Sequence, residues 1–111
     1  MPPTLTAEAA KERFLAEQRL AFHPGRLAVE CAVCGSNYGG TSWTTMAEAK
    51  QVTVMLGVGP GDRLLEIGAG SGWPALHIAG LTRCDVVLSD IPYLGLRAAC
   101  DRAEADGLAG R

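Results

Sequence analysis

Apolar positions in this chain recur at helical spacing in five stretches and form short unbroken runs in two, and their order predicts the elements. Ala7, Ala10, Phe14 and Ala21 repeat with helical period through a segment rich in Glu, Lys, Arg and Gln, so a first helix is expected, broken by His23-Pro24-Gly25. The face with Phe14 and Leu20 is expected to pack on the rest of the domain or to serve as an oligomer contact. A second helix, from about Arg26 to Cys34, would carry Leu27, Ala28, Cys31 and Cys34 on its apolar side and stop at Gly35. Thr45-x-x-Glu48 is a capping box opening a third, with Met46, Ala49, Val52, Met55 and Leu56, and Gly57 is a suitable stop. Val58 to Gly61 then turns the chain into Arg63–Ile67, a strand-length apolar run.

The second half alternates in kind. Pro74 suits a first helical turn, Ala75, Ile78 and Ala79 give that helix an inward side, and His77 falls on the side expected to meet solvent. Val86, Val87 and Leu88 form a continuous apolar run, typical of a parallel strand covered on both faces. Leu96, Ala99, Cys100 and Ala103 mark a last helix, ended by Gly107 with Leu108 as an apolar clasp. Strand, helix, strand is a crossover unit, so the fold class is α/β.

Between the first strand and its helix stand Gly68, Gly70 and Gly72. Such a loop turns with positive φ and lets a ligand approach its N–H groups, beside the positive end of a helix. A dinucleotide fingerprint would place its third glycine where Trp73 stands. Glu66, just before the loop, would repel a pyrophosphate and suit a cation. At the end of the second strand, Asp90 is placed where ligands of open parallel sheets bind, and a carboxylate there can accept hydrogen bonds from a vicinal diol.

Glu66-Ile-Gly-Ala-Gly-Ser-Gly72 followed by Asp85-Val-Val-Leu-Ser-Asp90 resembles the first two cofactor motifs of class I S-adenosylmethionine-dependent methyltransferases. The resemblance covers roughly Val52 to Gly110. It implies a Rossmann-like fold and S-adenosylmethionine as cofactor, with Glu66 near its methionine part and Gly68, Ala69, Gly70, Ser71 and Gly72 packed against it. It further implies Asp90 on the ribose hydroxyls, and Ile91 and Pro92 offering an apolar surface to the adenine. In that family the segment ahead of the first strand often covers the ligands, so the irregular stretch 35–44 is read either as a lid, with Tyr38 and Trp43 as flat apolar contacts, or as a loop whose two rings simply cap the core.

Composition narrows the partners. Ten basic against twelve acidic side chains give 10 − 12 = −2, which favours neither nucleic acid nor an anionic membrane. No run approaches the roughly 20 apolar residues of a membrane span, no signal peptide is legible, and four cysteines in a chain without secretory features are expected to stay reduced thiols, which points to the cytoplasm. Cys31-x-x-Cys34 lacks the second close pair of a structural zinc site, and no metal is expected.

Two units follow: 1–44, a helical segment with the lid, and 45–111, the first half of an S-adenosylmethionine-binding domain. Strands three to seven of the family have no counterpart, so the fold is expected to be incomplete, an amino-terminal or truncated part with an open sheet edge available for self-association. The leading expectation is a methyltransferase acting on a small molecule, with no general base named. Its rivals are a non-catalytic remnant or interaction module and a fragment of an NAD-type oxidoreductase.

Overall fold

A computed structural model describes residues 3–110. The elements run α1 (Ala7–Ala21), α2 (Pro24–Cys34), α3 (Met46–Leu56), β1 (Arg63–Ile67), α4 (Ala75–Thr82), β2 (Asp85–Ser89) and α5 (Tyr93–Ala105). The two strands pair in parallel, from Arg63 opposite Asp85 to Ile67 opposite Ser89. This small parallel sheet among helices is compatible with part of a Rossmann-like fold. Among the described residues no helix is long and apolar enough to cross a membrane.

Local chemistry sets the helix ends. Thr6 caps α1 by accepting from the Ala9 N–H at 3.2 Å, and Thr45 caps α3 by accepting from Glu48 N–H at 3.1 Å, the threonine half of the expected box. α2 begins at Pro24, two residues earlier than expected, because His23 caps it: Nδ1 accepts from the Gly25 N–H at 3.1 Å, and proline fits the first turn. Beyond Gly107, Leu108 folds back as expected, donating its N–H to the Ala103 carbonyl at 2.7 Å and joining Leu76 and Ala99 in the core.

Burial corrects several expectations. Phe14 and Leu20 are exposed, and α1 instead buries Gln18 and Ala21. In so alanine-rich a helix, periodicity does not choose the docking face; polar contacts to α5 do. α2 meets the domain along Glu30 and Cys34, one turn apart, which leaves Cys31 and Ala28 outside. α3 buries only Ala49 and exposes Val54 and Met55. β2 is covered on one face, by α4 and α5, while Leu65, Ile67 and Val87 are exposed on the other. His77 is half-buried with its ring 5.3 Å from that of Trp73 rather than fully exposed, and its Nε2 is buried with no partner among the described residues. Burial first, then the nearby Lys50 and Arg102 cations, holds its pKa below the ordinary value.

Candidate functional site

The glycine loop leaves the end of β1 and returns as α4. Gly68, Gly70 and Gly72 all have positive φ, at 71°, 53° and 92°. At Gly72 the need is also steric, since a Cβ would lie 2.7 Å from the Leu76 side chain and 3.3 Å from Ala99. The Ala69 N–H donates to the Ser89 carbonyl at 2.9 Å, which fastens the loop to the end of β2.

That fastening brings Asp90 to the loop. Its Oδ2 accepts from the Gly70 N–H at 2.8 Å and from Gln18 Nε2 at 3.3 Å, and its Oδ1 accepts from the Ile91 N–H at 2.8 Å. Glu66 sits across the loop, with Oε2 accepting from the Ala75 N–H at 3.2 Å at the start of α4. Burial raises the Glu66 pKa to about 7; the Ala75 hydrogen bond opposes the shift and the Asp90 charge adds to it. The strand end is therefore only partly ionised at neutral pH. Sequence reasoning supplied the acid but not its burial.

Two open cavities adjoin at Thr41 and Gly68. One, of about 430 Å³, is lined by Phe14, Gln18, Thr41, Ile67, Gly68, Ser89, Asp90 and Ile91. The other, of about 240 Å³, is lined by Gly40, Thr41, Ser42, Thr44, Glu66, Gly68 to Ser71, Trp73 and Pro74. Ser71 is 4% exposed and its Oγ has no partner among the described residues. Clefts of similar size lie between β2 and α5 and around His77, but neither is lined by the glycine loop, Glu66 or Asp90.

Most of the expected residues meet at this rim, and a few stand elsewhere. Ile91 is exposed and lines the larger cavity, whereas Pro92 is fully buried at the start of α5 and lines neither. Gly72 is buried against Leu76 and acts in packing. Of the stretch 35–44, the cavity wall takes Gly40, Thr41, Ser42 and Thr44. The two rings lie apart from it. Tyr38 packs between Trp73, at 5.1 Å, and the Arg102 guanidinium, at 3.8 Å, while Trp43 is met by Arg26 at 4.9 Å.

Glu30 shapes that stretch. Buried at 3% exposure, its carboxylate accepts from Ser36 Oγ at 3.0 Å and from the N–H groups of Tyr38, Gly39 and Gly40 at 2.9 to 3.4 Å. A lone acid in the apolar run Leu-Ala-Val-Glu-Cys-Ala-Val was a legible signal for such a role. Gln18, in a helix already rich in polar residues, gave none.

No family model matches the chain, and no solved structure matches it. One curated protein does. Over 51 residues, 46% of this chain, it is 47% identical to Protein-L-isoaspartate O-methyltransferase 1 of Cupriavidus necator. The matched stretch spans 19% of that protein's length. Among the described residues no group of His, Cys, Asp and Glu is arranged to hold a metal ion.

Proposed function

We propose that this chain carries the S-adenosylmethionine-binding portion of a methyltransferase. The observation behind this reading is the convergence of Asp90, Glu66 and the loop N–H groups on two adjoining cavities at one sheet rim. The donor set suits the cofactor: a carboxylate for a vicinal diol, Ile91 for a purine face, and a partly ionised carboxylate for an ammonium or sulfonium. Ser71, whose Oγ has no partner among the described residues, lines the smaller cavity between the Asp90 and Glu66 ends. When bound, the cofactor would supply an activated methyl group for transfer to a nucleophile.

The residues of this chain bind and orient, and for such a transfer positioning accounts for much of the rate. Asp90 fixes the nucleoside end, the glycine loop and Ser71 the middle, and Glu66 the charged end. The units 1–44 and 45–111 follow the same reading, with the lid role falling to residues 40–44. So do cytoplasmic residence and self-association through the open sheet edge. The relative, by its name, methylates isoaspartate in proteins. That name gives no support to the small-molecule acceptor expected from charge and the Tyr/Trp stretch, and a peptide carboxylate is the acceptor to test first.

Calorimetric titration with S-adenosylhomocysteine and with NAD tests the reading. Binding of the first, weakened at least tenfold in Asp90→Ala, is the expected result. Preference for NAD would make the chain part of an oxidoreductase, and binding of neither would leave a non-catalytic module.

A further inference from the structure

We propose that Gln18 is a positioning residue of the nucleoside site, its carboxamide holding the Asp90 carboxylate across the glycine loop and making α1 a wall of that site. This rests on the nucleoside-binding reading above. Gln18 is 4% exposed in a helix whose other polar residues face outward or are half-buried. Both ends of its amide are used: Oε1 accepts from the Gly95 N–H at 2.8 Å, and Nε2 donates to Asp90 Oδ2 at 3.3 Å. One orientation alone satisfies both partners, because a backbone N–H needs an acceptor and a carboxylate needs a donor. α5 therefore sets the amide, and the amide sets Asp90.

The close fit at α5 permits this. A Cβ on Gly95 would stand 2.6 Å from the Gly70 carbonyl carbon and 3.0 Å from Gln18 Cδ, so only glycine lets the loop, α1 and α5 meet there. Three donors fix the carboxylate: Gly70 and Gln18 on Oδ2, Ile91 on Oδ1. With roughly four acceptor sites on a carboxylate, the free one belongs to Oδ1, beside the cavity that Phe14, Gln18 and Ile91 line. Phe14 and Gln18, one helical turn apart, thus place α1 on the cavity wall.

The test compares adenosine with 2′,3′-dideoxyadenosine, which keeps the base and lacks both hydroxyls, by NMR titration of the whole chain. Gln18→Glu keeps the acceptor for Gly95 and loses the donor to Asp90; Gln18→Met loses both. The parent is expected to prefer adenosine, and in both variants that preference falls about tenfold, as for loss of one long hydrogen bond to a charged group. Binding of the dideoxynucleoside stays as in the parent, and circular dichroism shows Gln18→Glu folded. An unchanged preference in both variants would reduce Gln18 to packing, and an increased one would make it a competitor of the ribose; either overturns the proposal. A parent that binds both nucleosides equally overturns it while leaving an adenine site. A parent that binds neither overturns the nucleoside reading itself, and this proposal with it.

Discussion

Replacing Glu66 by glutamine should stabilise the protein more at pH 8 than at pH 5. The carboxyl pKa rises from its ordinary 4.5 to about 7, with burial the main cause. The folded state thus holds this proton more tightly than the unfolded chain, so the group's contribution to stability is greatest below pH 4.5. It declines as pH climbs to about 7 and is constant above. At about 1.36 kcal/mol per pKa unit, the shift corresponds to about 3.4 kcal/mol in an enclosed site. Solvent reaches Glu66 through the cavity it lines, and screening reduces the effect to roughly 1–2 kcal/mol.

Glutamine has nearly the same shape, still accepts from the Ala75 N–H, and never ionises. Urea unfolding followed by circular dichroism should give Glu66→Gln a clearly larger gain in midpoint over the parent at pH 8 than at pH 5. Affinity for S-adenosylmethionine should move the other way, falling in the variant at pH 8 and little at pH 5, where the parent carboxyl is already protonated. A stability gap at pH 8 no larger than that at pH 5 would refute the claim that burial, rather than shape, governs this residue.

Gly95→Ala reverses the usual helix preference. Where alanine ordinarily gains about 1 kcal/mol over glycine in a helix, the clash with the Gly70 carbonyl should make it lose about 2–3 kcal/mol, read as a lower melting temperature. Glu30→Ala strips the partners from the N–H groups of residues 38–40 and should cost about 3 kcal/mol or more, with faster hydrogen exchange at those amides. Ile67→Glu, at a side chain 80% exposed on the open sheet face, should change stability by no more than about 0.5 kcal/mol while reducing self-association in size-exclusion chromatography at high concentration. An unchanged elution profile would count against association through that face.

Every regular element could be read along the chain, because each rests on short-range chemistry. Thr6, Thr45, Pro24, Gly35, Gly57 and Gly107 act on atoms within a few residues, and the glycine loop owes its shape to backbone freedom that its own residues supply. The pairing of that loop with an acid some twenty residues later was legible for the same reason: strand, loop, helix and strand leave Asp90 little choice but the loop's rim.

Burial was decided elsewhere, by neighbours distant in sequence. Alanines on several sides of α1 left its docking face open until Gln18 found Gly95 and Asp90, 77 and 72 residues away. His77 lost part of its solvent to Trp73 and the adjoining core, and Tyr38 left the cavity wall for the faces of Trp73 and Arg102. Glu66 was an acid in the sequence, but its protonation near neutrality comes from the protein packed around it. Residue type fixes which groups can donate, accept or ionise, and the tertiary structure fixes how much water and which charges each one meets.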